Sequence, residues 1–381
     1  MEIRQAAIPL ACTRTAEIDA CAALTPDLVL VFGSIDHFRV SGFSRMLREA
    51  FPSSQIVGCS TAGEIANDGV AEGTASVTAV RFKNPNFRVA TADIEGLGDS
   101  FGVGARIAEK LLGKDLKNIL VFAQGVNING SALIEGIHSL TGDSVTLSGG
   151  LAGDGGAFKE TFVISNDGVS NRQVVAIGFY GDGVRFGHGS FGGWRPFGPK
   201  RKVTRASGNI LYELDGAPAL EVYKRYLGDY AKDLPASGLL FPFSMLANDA
   251  TDVGLIRTIL GIDEAEGSLF LAGDIIQDGF LQLMQASTDA LVDGAHSAAE
   301  AARALLQQDA PALAILVSCV GRKLVMGARV DEEVEAVREV FSLGSVITGF
   351  YSHGEISPLL SAPECKLHNQ TMTVTCLLET A

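Results

Sequence analysis

The sequence predicts an α/β fold in which repeated strand–helix–strand modules build mixed sheets, arranged in two halves. Three observations predict it. Three apolar runs of strand length, Leu28–Ser34, Asn118–Gly125 and Leu313–Gly321, end alike and lead into helical patterns. Roughly thirty residues after each comes a second strand, the spacing of a βαβ unit. These second strands close on related strings: QIVGCSTAGEI (Gln55–Ile65), VTLSGGLAGD (Val145–Asp154) and SVITGFYSHGEI (Ser345–Ile356).

Taken along the chain, Asp36–Ala50 reads as the first helix, with Phe38, Phe43, Met46 and Leu47 on one face. Ser131–Leu140 and Asp331–Phe341 repeat that role. The first and third second strands align without a gap: Gly58 with Gly349, Thr61 with Ser352, Gly63 with Gly354, Glu64 with Glu355. A further strand follows each module, at Ala75–Phe82, Gln173–Tyr180 and Gln370–Leu378. Gly192–Lys200 (GGWRPFGPK) is a Gly/Pro-rich interruption. It sets the expected boundary, giving units 28–200 and 201–381. Beyond it, Arg201–Thr204 and Asn209–Asp215 read as strands. Pro218 opens a helix through Tyr226, where a missing N–H costs nothing. Leu239–Leu246, Leu255–Leu260 and Ser268–Ala272 read as strands, and Ala295–Leu306 as an Ala-rich helix.

Composition narrows the function. Nearly half of the 381 residues are apolar and 19% are charged, ample for a large core and contrary to disorder. The apolar runs are far shorter than the ~20 residues of a spanning helix. Met1–Arg14 lacks the order of a signal peptide, so a cytoplasmic protein is expected. A formal charge of −14 repels phosphate backbones and argues against nucleic acid. Six scattered cysteines form no C-x-x-C pair.

Glycine-bracketed strand ends expose backbone amides, and a following carboxylate adds a polar contact. That reading makes Gly58, Thr61, Gly63 and Glu64 ligand-binding candidates, with Gly349, Gly354 and Glu355 in the second half. The alternative reading is that the glycines satisfy tight turns and the glutamates cap backbone. Trp194 is a candidate for stacking on a flat ligand and Arg195 for pairing with a carboxylate; a plug at a domain junction is the other reading. Gly187–Gly192 matches G-x-G-x-x-G but runs into GWRPFGP rather than opening a helix, which a dinucleotide fingerprint requires. His353, Glu355, Cys365 and His368 follow the order of a zinc deaminase signature with two departures, an extra residue before the cysteine and histidine in place of the second cysteine. A zinc-dependent hydrolase or deaminase on His353, Cys365 and His368 is therefore an alternative class. One imidazole suffices as an axial haem ligand, and His188, His353 and His368 are the candidates, each also readable as a satisfied polar residue.

Four separated strings, GCSTAGEI, ELDGAPALEVY (Glu213–Tyr223), GFYSHGEISP and CKLHNQTMT (Cys365–Thr373), together resemble the FIST sensory proteins of bacteria, in that family's order. The resemblance extends from about Leu28 to the C-terminus. It implies a FIST N-type and a FIST C-type half and a small-molecule sensor without chemistry of its own. It also adds Ser60, Tyr351 and Asn369 to the ligand-binding candidates, with Asp215, Gly216, Pro218 and His368 as further motif residues. Position 353 departs from the family's commoner Tyr. Stand-alone members, to which the chain is similar, include haem-containing nitric-oxide sensors that act on a partner histidine kinase. The resemblance leaves haem and an amino acid or other metabolite both open as the ligand.

Overall fold

The computed structural model describes residues 1–10, 14–307, 310–359 and 362–380. The repeat is present three times, and each copy is larger than the sequence pattern indicated. The first module runs outer strand Glu2–Pro9, helix Ala16–Ala22, inner strands Leu28–Ser34 and Gln55–Thr61, a hairpin (Glu64–Ala66, Gly69–Ala71) and closing strand Thr74–Arg81. The second repeats this with Phe87–Asp93, Ser100–Leu111, Leu116–Ala123, Thr146–Leu151, the hairpin Val163–Ser165 and Gly168–Ser170, and Gln173–Tyr180. The third uses Val184–Phe191, Thr288–Leu306, Leu313–Cys319, Val346–Ser352, the hairpin Gly354–Leu359 and Ala362–His368, and Met372–Glu379. The outer strands and the helices at 16–22 and 320–326 carried too little periodicity to be read from sequence.

In every module the two inner strands are parallel and joined by helix, as a βαβ unit requires, while the other strands add antiparallel. Each six-stranded sheet is completed by a hairpin from a different module. The first module's hairpin pairs with Val346–Ser352, the second's with Gln55–Thr61, and the third's with Thr146–Leu151. The three sheets thus exchange hairpins in a closed cycle.

Their inner faces meet in one core. Phe32, Phe122 and Phe350 cluster there, with ring centroids 4.9, 5.3 and 6.0 Å apart. Where the third module carries Phe350, the second carries Gly150, whose Cβ would come 2.7 Å from Val317. Phe350 packs over Gly150, so a large side chain of one module fills the space a small one of another leaves. Helices cover the outer faces and bury Ile107, Leu133 and Ile137 in the second module, and Ala298, Val334 and Val337 in the third. Ser287 caps the long helix Thr288–Leu306 by accepting from Ala290 N. That helix packs on Gly187 and Gly189, where any Cβ would lie 2.0 Å from the carbonyl oxygens of Ala302 and Ala298. The G-x-G-x-x-G string is therefore strand-to-helix packing. The helix expected over Asp36–Ala50 is two pieces, Ile35–Arg39 and Phe43–Ala50, separated at Val40–Gly42.

Residues 195–285 are inserted between the third module's outer strand and its helix. They form a nine-stranded antiparallel sheet with its own core of Val203, Leu211, Tyr223, Phe243 and Leu283. Pro218 is the N-cap of helix Ala219–Leu227. The segment Leu239–Leu246, read as one strand, begins in a 3-10 turn and becomes strand only at Phe243. The sheets draw strands from both sides of residue 200: Val184–Phe191 pairs along its whole length with Met372–Glu379.

Candidate functional site

The repeated glycine of the second inner strand has a packing role in all three modules. A Cβ on Gly58, Gly149 or Gly349 would lie 1.8–2.0 Å from the carbonyl oxygen of Val31, Val121 or Leu316 on the neighbouring parallel strand. Only glycine lets the two backbones approach so closely. Ser60 joins modules: its Oγ donates to Gly153 O at 2.7 Å and accepts from Phe162 N at 2.9 Å.

Past Ser60 the strand ends in open space. Thr61, Gly63 and Glu64 line a hollow of about 370 Å³, with Ser34 from the first inner strand, Asp154 from the second module and Lys323 from the third. All three modules contribute to it. Lys323 Nζ donates to Ala62 O at 2.6 Å and pairs with Glu72 at 2.5 Å, across an exposed glutamate. Glu64 is 2% exposed and accepts from Thr61 Oγ1 and from both the amide (3.0 Å) and hydroxyl (2.9 Å) of Thr74. Burial raises its pKa against those hydrogen bonds and the Lys323 charge. Asp154 is the opposite case. Burial pushes its pKa up, but the His353 imidazole and the amides of Lys159 and Phe158 outweigh that and hold it well below the usual carboxylate range.

Glu355, the sequence counterpart of Glu64, repeats the same bonds without the space. It accepts from Ser352 Oγ at 2.6 Å and from the hydroxyl of Thr371 at 2.9 Å, and is wholly buried. Both carboxylates fasten a strand end to the start of the closing strand. One faces a hollow; the other is sealed.

The remaining candidates are dispersed. His353 and Asn369 line a smaller hollow of about 120 Å³ at the inserted sheet. His353 stacks on Phe158 at 4.2 Å, with Nε2 lying 3.1 Å from Asp154 but off hydrogen-bonding geometry. Tyr351 is fully buried and its hydroxyl donates to Glu333. Gly354 packs against Leu151 and Leu367. Trp194 fills a junction with Met284, Leu291 and Met326 and donates from Nε1 to Gln370 O at 2.7 Å, while Arg195 is exposed. Asp215 and Gly216 form a turn in the inserted sheet, where Asp215 accepts from Lys202 N and Arg201. Sequence reasoning missed Lys323, Asp154 and Glu72. The signal for Asp154 was present, since it ends the LAGD string of the second repeat.

Comparison with known proteins decides the family. A FIST N domain model matches residues 27–217 and a FIST C domain model matches residues 219–358. The chain belongs to the FIST family. FIST domains are recognised as small-ligand-binding sensory domains of signal transduction, not as enzymes. This FIST chain is also similar to an uncharacterised protein of Mycobacterium tuberculosis H37Rv, 24% identical over 99% of this chain and 97% of that protein. An uncharacterised protein of Mycobacterium bovis is 26% identical over 69% of this chain and 64% of the other. Among solved structures, a cyanuric acid hydrolase from A. caulinodans matches at 9% identity and a TM-score of 0.39, covering 100% of this chain and 99% of that one.

The zinc alternative is corrected by the geometry of this FIST chain. Cys365 and His368 lie on one strand, Ala362–His368, where residues three apart point to opposite faces. Cys365 turns to Leu147, and His368 Nε2 lies 3.0 Å from Ser357 O. Among the described residues no group of three ligating side chains is placed to hold a metal ion.

Haem fits no better. Burial pushes the imidazoles of His188 and His368 down to about 4, which keeps them in the neutral form that ligates metal, so position and not protonation decides against them. His188 lines none of the hollows described, and His368 is engaged with backbone. The hollow beside His353 has room for about four waters, far from a porphyrin. No helix among the described residues is long and apolar enough to cross a membrane.

Glu355 makes FIST stability pH-dependent in a specific direction. Burial pushes its pKa up to about 8, against the hydrogen bonds from Ser352 and Thr371. Its folded pKa lies above the unfolded one, so the stability it contributes is complete below the ordinary carboxylate range and is lost as pH rises through about 8. Glu355→Gln mimics the neutral acid. Thermal melts from about pH 5 to 9 should show the wild type losing more stability than the variant. Parallel pH profiles would remove this assignment.

Proposed function

We propose that this FIST protein senses an amino acid or a closely related amine, held in the strand-end hollow. Three carboxylates, Glu64, Glu72 and Asp154, and one ammonium, Lys323, line it. That single observation carries the reading. An excess of carboxylates favours a ligand ammonium, and the lone lysine offers a partner for a ligand carboxylate. The Lys323–Glu72 pair is half in solvent, and such pairs are worth only about 0–1 kcal/mol, so a zwitterion entering between them gives up little.

A ligand touching all three modules favours the closed arrangement over a looser one, and that differential affinity is the signal. A separate signalling protein, a histidine kinase being the candidate, reads it in the cytoplasm. The units 28–200 and 201–381 then both face the ligand, the first through Glu64 and Asp154 and the second through Lys323.

Thermal shift against a panel of free amino acids tests the proposal. The right ligand at a hundredfold excess over Kd should stabilise by about 2.7 kcal/mol. Lys323→Met should abolish that shift, at a cost of about 1–3 kcal/mol to the unliganded protein for the lost hydrogen bond to Ala62 O. A panel without any shift, or a shift that survives Lys323→Met, would count against the hollow. A Soret band after incubation with haem would reopen the cofactor reading.

A further inference from the structure

A second cleft, about 420 Å³ in volume, lies where the inserted sheet meets the second module's helix Gly130–Thr141 and the third module's hairpin. Its walls are apolar side chains, Met245, Leu255, Ile275, Ile276 and Leu359, and one wall residue is a guanidinium, Arg257. We propose that this cleft binds an amphipathic monocarboxylate, its tail among the apolar walls and its carboxylate on Arg257.

Arg257 is a buried charge without an ion-pair partner at contact distance, and the Asp274 carboxylate offsets it only at longer range. Arg257 ends strand Asp252–Arg257 and is 3% exposed. Its Nε donates to Asp274 O at 3.0 Å, and its Nη1 to Ile256 O at 3.2 Å and Leu367 O at 3.1 Å. These acceptors are all main-chain carbonyls, and among the described residues Nη2 has no acceptor. Among the described residues no carboxylate comes within 4.0 Å of it. The contrast with Arg322 is direct: that arginine is equally buried and has Glu333 at 2.7 Å. A buried guanidinium held by carbonyl dipoles and a carboxylate beyond contact distance is costly, and an anion delivered to it recovers part of that cost. Burial moves its pKa down to about 10, which still leaves it charged at neutral pH.

The other ionisable groups facing the cleft set the ligand's charge. Asp143 and Glu364 stand at the rim with side chains 80% and 53% exposed, and Glu364 is paired with Lys366. Glu135 is exposed on the helix, His138 lies one turn on, and Asp274 accepts weakly from Asn129 at 3.5 Å. An acidic rim above a single buried cation admits one carboxylate and repels phosphates and dicarboxylates. Apolar walls with one convergent polar group are the usual make-up of a small-molecule site of this volume.

Calorimetry on the full chain with octanoate, octanol and suberate tests the inference. Octanoate should bind at least about tenfold more tightly than octanol or suberate. Arg257→Met should reduce octanoate to the level of octanol. Val253→Trp, which fills the cleft from a half-buried wall position, should abolish both. Because Arg257→Met removes a buried hydrogen-bonded group, Val253→Trp keeps the test decisive if that variant does not fold. Lys323→Met should leave octanoate binding unchanged, which separates this cleft from the strand-end hollow. Failure of octanoate to bind, equal affinity for octanol, or binding that persists in Val253→Trp would overturn the inference.

Discussion

Arg322→Met is expected to lower stability by about 3–5 kcal/mol, measured by chemical denaturation. Both side chains of the Arg322–Glu333 pair are wholly buried, at 2.7 Å. The guanidinium also donates to Gly192 O at 2.6 Å and Leu291 O at 2.9 Å. Glu333 Oε1 accepts in turn from Ser318 Oγ at 3.0 Å and from the Tyr351 hydroxyl. Removing arginine leaves that carboxylate in the interior with neutral donors only. Replacing both partners, as Arg322→Met with Glu333→Met, should recover most of the loss, because the desolvation cost disappears with the charges. A single variant within about 1 kcal/mol of wild type would show that the pair relaxes toward water.

Gly58→Ala should be as damaging by a different route. Its Cβ would sit 1.8 Å from the Val31 carbonyl oxygen, so two parallel strands in the middle of a sheet must move apart. Overpacking of a tight interior usually costs 1–3 kcal/mol, and a clash with backbone belongs at or above the top of that range. Gly42→Ala is the control, since nothing lies within 4 Å of the added carbon. Equal melting temperatures for the two variants would contradict the close-approach account of the repeated glycine.

The inner strands were legible because they are buried on both faces and read as unbroken apolar runs, as Leu313–Cys319 does. The outer strands were not. Val184–Phe191 carries glycines at 187 and 189 where a helix presses on it, and Glu2–Pro9 mixes charge with small residues. The first two exchanged hairpins are strands of three residues each, too brief for periodicity, and the partners of all three lie in other modules. Of the site, the GCSTAGEI string was conspicuous, yet its parts divide between packing (Gly58), bridging between modules (Ser60) and the hollow (Thr61, Gly63, Glu64). Spacing along the chain cannot reveal that Lys323 arrives from more than 250 residues away to complete it, 261 positions from Ala62. His353 and His368 looked alike as candidates; strand alternation and a stacked Phe158 separate them.

The closed exchange of hairpins bears on how the body comes apart. Each module covers a neighbour's open flank and is itself covered by another, so lifting any one out bares two rows of unsatisfied amides and carbonyls at once. Piecemeal fraying is thereby discouraged, and the flanks that invite stray chains to add on stay hidden until the whole assembly yields together.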